Sequence, residues 1–143
     1  MRGESPPAII HPKVSIVTDA ILLGMGKPSY MFYGCFPRIT STFVFEKRLV
    51  SLPEAIRRFT SQPADQCCIE HRGLVKEGYF ADLLVMEPES FRTPSTFSDP
   101  CHYPEGLHMV IINGKVVLED GEYRPDSMPG MMLRKNSQRN PGG

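Results

Sequence analysis

The sequence has no excess of charge of either sign, since 16 Lys and Arg residues balance 16 Asp and Glu residues in a chain of 143. A nucleic-acid-binding surface needs a basic stripe and a solvating tail needs an acidic run, and the sequence has neither. Its longest apolar run is only a few residues, whereas a membrane-spanning helix needs about 20. We therefore predict no nucleic-acid partner and no membrane partner.

Metal-binding patterns are equally scarce. The four cysteines include no Cys-x-x-Cys pair, and the four histidines include no His-x-His or His-Glu-x-x-His motif. Zinc sites use such spacings, so we expect no zinc to be bound by this chain alone. Adjacent Cys67 and Cys68 do not suit a disulfide framework, and the N-terminus lacks the long apolar stretch of a secretory signal. Both features predict a cytoplasmic location.

What the sequence does contain is apolar residues, 41%, together with 12 Gly and 14 Pro. This composition predicts a packed core built from short elements and many turns, and it argues against a helical bundle. The length fits one domain. The predicted elements are a buried strand at 13–18, an irregular connection at 20–37, a helix within 39–49, a short helix at 61–68, a strand at 79–86, a loop at 91–104, a hairpin of 107–112 with 115–118, a turn at 120–121 and a disordered tail from 135.

A further helix is predicted to begin at Ser51. Ser51 suits the N-cap position, a proline follows in the first turn, and Glu54 stands where it completes a capping box. The apolar stripe that follows places Arg57 and Arg58 on the solvent side of this helix.

Asp19 is the residue whose position suggests catalysis. A carboxylate just past the C-terminal end of a buried parallel strand lies on the face where α/β enzymes place their sites. There it could accept a proton from a metal-bound water and later deliver it to a leaving amine. An Asp after a strand is, however, more often a turn residue.

The loop at 33–38 combines aromatic, glycine and arginine residues near Asp19. Arg38 could clamp a carboxylate, or it could be the exposed arginine of an ordinary packed loop. Cys35 has no visible His or Asp partner, which favours a small buried residue over a nucleophile.

Several segments together resemble the N-acyl-D-amino-acid deacylases (D-aminoacylases) of the amidohydrolase superfamily. Thr18-Asp19-Ala20 resembles their Ser-Asp-Gly, and Tyr33-Gly34-Cys35-Phe36-Pro37-Arg38 is similar to their Tyr-Gly-Thr-Phe-Pro-Arg. The resemblance runs in order over about residues 9–134. Its other matching segments are 26–28, 51–55, 60–64, 72–83, 103–106 and 110–117.

The resemblance implies a (β/α)₈ barrel joined to a small β-domain, and hydrolysis of N-acyl-D-amino acids with zinc held by residues of earlier barrel strands. Asp19 matches the general base and acid at the end of strand eight. A family Arg that can bind the substrate carboxylate lies in a His-Pro-Arg stretch, and the corresponding residues here are Ser29-Tyr30-Met31. No Cys or His of this chain falls at the family's metal-ligand positions.

We therefore expect a mixed α/β chain: the last βα segment of an amidohydrolase barrel (1–70), the C-terminal part of a small β-sandwich domain (71–134) and a disordered tail (135–143). The expected function is the C-terminal part of a metal-dependent deacylase, inactive in isolation, with Asp19 catalytic and Ser29, Tyr33 and Arg38 binding substrate. Its expected partners are the N-acyl amino acid and a missing N-terminal barrel chain. The alternative is a non-enzymatic β-domain that binds a partner.

Overall fold

In the computed structural model, which describes residues 8–19 and 28–133, a helical part precedes an antiparallel sheet. The sheet has the strand order β1-β2-β3-β4, so each strand pairs with its neighbour in sequence. The elements are a 3₁₀ turn at Ala8–Ile10, helix α1 at Tyr30–Ile39, a π-helix at Thr40–Glu46, helices α2 at Leu52–Phe59 and α3 at Ser61–Gln66, and strands β1 at Leu83–Met86, β2 at Leu107–Ile112, β3 at Lys115–Glu119 and β4 at Glu122–Tyr123.

The sheet confirms the predicted hairpin. Asn113 and Gly114 join β2 to β3 with φ values of 48° and 77°, and Asp120 and Gly121 join β3 to β4 with 47° and 84°. Two successive positive φ values give the two-residue turn whose twist matches that of the flanking strands. The strand predicted at 79–86 is shorter than expected, because only its last four residues pair with β2.

The predicted strand at 13–18 is wrong. These residues carry no strand pairing, and the backbone amide of Ile16 donates instead to the carbonyl of Arg58 at 3.0 Å. A parallel strand exists only where a neighbour supplies its ladder, and the described residues place no strand beside this segment. The sequence pattern is that of a strand, but no strand among the described residues pairs with it.

The predicted irregular connection is wrong over residues 30–37, which are helical. Ser29 caps α1, since its hydroxyl accepts from the amide of Met31 at 3.3 Å. Gly34 and Pro37 are buried in this helix, so tertiary packing outweighs their low intrinsic helix propensity. The helix predicted within 39–49 is the π-helix, which ends before Arg48 adopts a positive φ of 51°.

Helix α2 begins after Ser51 as predicted, but two details of the prediction are wrong. The Ser51 side chain makes no capping hydrogen bond, and Glu54 pairs with Arg57 and Arg58 instead of completing a capping box. Arg58 is buried, with 4% of its surface exposed, because it faces the segment that precedes Asp19 and not solvent. Helix α3 is close to its predicted bounds, ending before Cys67.

A network around Arg72 fixes the start of the sheet region. Arg72 pairs with Asp82 and donates to Asn113 Oδ1 at 2.6 Å, while the Asn113 amide donates to Asp82 Oδ1 at 2.8 Å. The guanidinium also lies 4.2 Å from the ring centroid of Phe80. The matching segments 72–83 and 110–117 therefore meet in a structural contact at the hairpin turn.

The buried apolar core is small, and none of the described helices is long and apolar enough to span a bilayer. Several large apolar side chains are exposed, including Val17 at 70% and the β1 residues Leu84 and Val85 at 55% and 47%. Because β1 is an edge strand, this part of the sheet leaves both apolar surface and backbone unpaired.

Candidate functional site

Asp19 ends a segment, residues 14–19, that has no helix or strand structure and is hydrogen-bonded to helices α2 and α3. Ser15 bridges to α3, because its hydroxyl donates to Gln66 Oε1 at 2.6 Å and accepts from Gln62 Nε2 at 2.9 Å. Asp19 itself is exposed. Polar contacts to two helices therefore set the direction in which the chain reaches this carboxylate.

Arg58 is the central residue of that attachment. Its guanidinium donates to the carbonyl of Ile9 and, at 3.5 Å, to that of Ile10, while its Nε lies 2.7 Å from Glu54 Oε1. A buried guanidinium needs such partners, since an unpaired buried charge is strongly destabilising. The sequence prediction missed this role, although the four-residue spacing from Glu54 to Arg58 is the signal of a helical ion pair.

Glu54 is held ionised by the two arginines. Hydrogen bonds from Arg57 and then Arg58 lower the pKa of Glu54 from 4.5 to about 2. The carboxylate thus stays charged over the whole neutral range, and it keeps the Arg58 guanidinium oriented toward the segment that leads to Asp19.

An apolar cavity of about 340 Å³ lies beside the end of that segment. Its lining includes Val17 and Thr18 of the segment, Phe36 of α1, Phe59 of α2 and Leu133 from the C-terminal end of the described chain. The rings of Phe36 and Phe59 lie 4.8 Å apart and pack α1 on α2. The residues preceding Asp19 therefore border an apolar surface that α1, α2 and the C-terminal end of the described chain also line.

The predicted substrate-binding residues all belong to α1 or its cap. Ser29 caps the helix, while Tyr33 and Arg38 point to the loop at 91–104. Arg38 Nη2 donates to the carbonyl of Ser95 at 2.8 Å, and a hydrogen bond with Cys101, followed by the repulsion of that thiol, raises the pKa of Tyr33. Sequence reasoning missed Ser95 and Cys101, for which no sequence motif gave a signal.

The structure thus places Ser29 at the start of α1, Arg38 near its end and Tyr33 between them, and it joins Arg38 to the loop at 91–104. Asp19 is separated from Ser29 along the chain by residues 20–27, which lie outside the described residues. The tail predicted to be disordered from 135 lies outside them as well. The roles predicted for Asp19, Ser29, Tyr33 and Arg38 stay predictions.

Cys35 does not have the properties of a nucleophile. Burial raises the pKa of its thiol, which lowers the thiolate fraction at neutral pH. No group of three or more metal-ligating side chains occurs among the described residues. His102 and His108 lie near Asp99 and Asp120, at 2.7 and 3.9 Å, in two separate pairs.

Comparison with protein-family profiles matches residues 9–118 to the amidohydrolase family. The chain belongs to this family. The match runs from the 3₁₀ turn through Asp19 and all three helices into β3, so it covers both the helical part and most of the sheet of this amidohydrolase chain.

Named relatives agree with that assignment. This amidohydrolase chain is 35% identical over 123 residues to an N-acyl-D-aspartate deacylase of Alcaligenes xylosoxydans xylosoxydans, covering 86% of this chain and 24% of that protein. It resembles the crystal structure of a D-aminoacylase with a TM-score of 0.67 and 31% identity, covering 69% of this chain and 21% of that one.

A third relative was solved with ligands. An N-acyl-D-glutamate deacylase from Bordetella bronchiseptica, complexed with zinc and a phosphonate inhibitor that mimics the tetrahedral intermediate, gives a TM-score of 0.73 and 28% identity. The similarity covers 80% of this chain and 25% of that one. The amidohydrolase chain therefore spans about a quarter of the length of the relatives it matches.

Proposed function

We propose that this chain is the C-terminal part of a metal-dependent deacylase, which hydrolyses the amide bond of N-acyl-D-amino acids to a carboxylate and a free D-amino acid. The observation that carries the proposal is the attachment of the segment before Asp19 to α2 and α3 by Arg58 and Ser15. This attachment holds in place the segment that ends at Asp19, the residue that would be the catalytic Asp by the family resemblance. A cytoplasmic location, predicted from the free thiols, belongs to the same proposal.

In this proposal, residues 1–70 form the last βα segment of a (β/α)₈ barrel and residues 71–134 form part of a small β-sandwich. The segment at 13–18 has a strand-like composition, and the described residues place no strand beside it. Its neighbours would be barrel strands supplied by a further N-terminal polypeptide, which is the partner we propose. The exposure of Val17, at 70%, supports a surface that another part of the protein covers.

Asp19 would act as the proton carrier of the hydrolysis. As general base it takes a proton from the attacking water, and as general acid it returns that proton to the leaving amine nitrogen. Zinc supplies carbonyl polarisation in such chemistry. The described residues do not form a zinc site by themselves, since they hold no cluster of three potential ligands, and the ligands would come from the N-terminal polypeptide.

Helix α1 would line the substrate entrance. Ser29, Tyr33 and Arg38 are placed along this helix, and the loop at 91–104 packs beside it through Arg38 and Ser95. The small-molecule substrate, an N-acyl amino acid, would approach Asp19 between this helix and the rest of the barrel.

The test is reconstitution. The chain alone, with zinc added, should show no hydrolysis of N-acetyl-D-aspartate, N-acetyl-D-glutamate or N-acetyl-D-leucine. Co-expressed with the N-terminal three-quarters of the N-acyl-D-aspartate deacylase, it should restore hydrolysis. Asp19→Asn should then lower kcat at least about 100-fold, the range for loss of a general acid or base.

Asp126→Asn is the matched control, because Asp126 is an exposed carboxylate in the segment after β4. It should leave kcat within about twofold, as surface substitutions away from a site are near neutral. Activity of the isolated chain would contradict the proposal. So would a reconstituted enzyme in which Asp19→Asn and Asp126→Asn behave alike.

A second candidate, a non-enzymatic interaction module, is favoured by the open edge of β1 with exposed Leu84 and Val85. This function predicts tight binding to a partner that contains no barrel. Binding would be unaffected by Asp19→Asn and lost in Val85→Lys, because a lysine on an edge strand blocks pairing.

A further inference from the structure

The loop at 91–104 is seated on helix α1 at closely packed points. A Cβ atom built on Gly34 would lie 2.6 Å from Thr93 Oγ1, so the loop approaches the helix closer than any side chain at position 34 would permit. One turn further along, Arg38 Nη2 donates to the carbonyl of Ser95 at 2.8 Å. Only glycine at position 34 and a long donor at position 38 permit this arrangement.

The loop is also braced internally, since Ser95 Oγ donates to the carbonyl of His102 at 3.2 Å and His102 Nε2 lies 2.7 Å from Asp99 Oδ2. Fixing Ser95 therefore also restrains His102. The end of the loop lies near α1, where the thiol of Cys101 raises the pKa of Tyr33.

The guanidinium of Arg38 is poorly placed to bind a substrate carboxylate side-on. A bidentate clamp needs two N–H groups on one open side. Nη2 already donates to Ser95, and Nε is shielded from solvent with no hydrogen-bond partner in the part of the chain that the structure describes. The Cζ atom lies 4.9 Å from the ring centroid of Tyr30, which covers a further side of the group.

What the braced loop exposes is aromatic surface and not free positive charge. The Tyr103 side chain, next to His102, is 79% exposed. The guanidinium of Arg92, at the start of the loop, forms an ion pair with Glu105, with Nε 2.6 Å from Oε2. An exposed aromatic ring favours contact with an apolar group and gives no selectivity for a carboxylate.

We propose that Arg38 is a positioning residue: it holds the loop at 91–104 against α1, and the loop selects the acyl group of the substrate through the Tyr103 ring. The inference rests on the proposed function for its substrate class. The attachment of the loop by Arg38 stands independently of that function.

The first experiment measures backbone amide exchange in the chain itself. The amides of Thr96 and Asp99 are hydrogen-bonded inside the loop. Arg38→Met should speed their exchange at least about tenfold, which corresponds to a loss of about 1.4 kcal/mol. Arg38→Lys, which retains a donor, should restore most of the protection. Amides of β2 and β3 should be unchanged and report that the sheet is folded.

A second pair of variants tests the loop without altering Arg38. Gly34→Ala should displace the loop and speed the same amides, and Gly34→Ala combined with Thr93→Gly should restore protection by removing the clash. Unchanged exchange in both Arg38→Met and Gly34→Ala would overturn the positioning role.

The final experiment uses the reconstituted enzyme and compares kcat/KM for N-octanoyl and N-acetyl derivatives of one D-amino acid. Arg38→Met and Tyr103→Ala should each lower the octanoyl-to-acetyl ratio at least about threefold, and Arg38→Lys should return it toward the wild-type value. An equal rise in KM for both substrates, unrelieved by Lys, would show that Arg38 binds the carboxylate. An inactive reconstitution would count against the proposed function, while the exchange data would still decide the role of Arg38.

Discussion

The helical part and the sheet are stabilised by contacts of very different range along the chain. In the sheet, β2 and β3 are joined by a two-residue turn, and Ile112 pairs with Lys115 across it. In the helical part, Arg58 reaches the carbonyl of Ile9 across 49 positions. The β2–β3 hairpin is therefore specified by neighbouring sequence, whereas the segment leading to Asp19 depends on a distant side chain.

Each part contains an arginine with little exposed surface, and the two have different tasks. Arg72, whose side chain is 10% exposed, joins Asp82 to the turn residue Asn113 and so closes a sheet that already has its own ladder. Arg58 instead binds backbone carbonyls of the 3₁₀ turn at Ala8–Ile10, which precedes the segment leading to Asp19. A polar side chain thus holds the N-terminal segment in the helical part, whereas backbone pairing holds the strands together in the sheet.

The largest expected effect comes from removing the long-range contact. Arg58→Met should lower the free energy of unfolding by about 3 kcal/mol, since it leaves the carbonyls of Ile9 and Ile10 without this donor and removes one of the two partners of Glu54. Urea unfolding followed by circular dichroism measures the loss. Exchange protection at Ile16, whose amide donates to the Arg58 carbonyl, should fall as well.

Arg57→Met is the matched comparison, because the Arg57 guanidinium also pairs with Glu54 and donates to the carbonyl of Pro12 at 3.2 Å, but its side chain is 43% exposed. An exposed ion pair contributes less than about 1 kcal/mol. Equal losses of unfolding free energy in Arg58→Met and Arg57→Met would contradict the special role of Arg58 in the helical part.

A smaller effect is expected from the local turn of the sheet. Gly114→Ala should cost about 1 kcal/mol, because alanine is strained at a φ of 77° while the space around its Cβ is open. Protection should fall in β2 and β3 and stay unchanged at Ile16. Gly130→Ala, at an open site without a positive φ, is the control and should change stability by less than about 0.5 kcal/mol.

Acid should lower the stability of the helical part, and by less than either Arg58→Met or Gly114→Ala lowers the stability of the chain. The pKa of Glu54 is lowered from 4.5 to about 2, so its stabilising contribution is complete above pH 4.5 and is lost as the pH falls toward 2. The melting temperature of the wild type should therefore drop over this range more steeply than that of Glu54→Gln. Parallel pH profiles of the two proteins would contradict the assignment.

The sequence predicted the local features and failed where partners are remote. Asn113-Gly114 and Ser51-Leu52-Pro53-Glu54 are short signals whose structural outcome depends on adjacent residues, and the hairpin and α2 follow them. Helix α1 was missed because its Gly34 is packed against Thr93, a contact that no nearby residue reports.

The candidate site likewise combines residues that the sequence predicts with contacts that it does not predict. Asp19 and Arg38 could be named from the family resemblance alone, but the contact of Arg38 with Ser95 spans 57 positions and has no motif. The burial of Arg58 was missed for a related reason. Its helical face is polar by periodicity, yet the backbone carbonyls that accept its hydrogen bonds come from residues more than forty positions earlier.

The same separation has a consequence during synthesis of the chain. Residues Ile9 and Ile10 leave the ribosome before Arg58 has been made, and at about 5–20 residues per second the delay is roughly 2–10 s. During that interval the segment leading to Asp19 has no attachment to α2 or α3. The order of translation thus makes the placement of this carboxylate a late step, after the nascent segment has been available to chaperones and proteases.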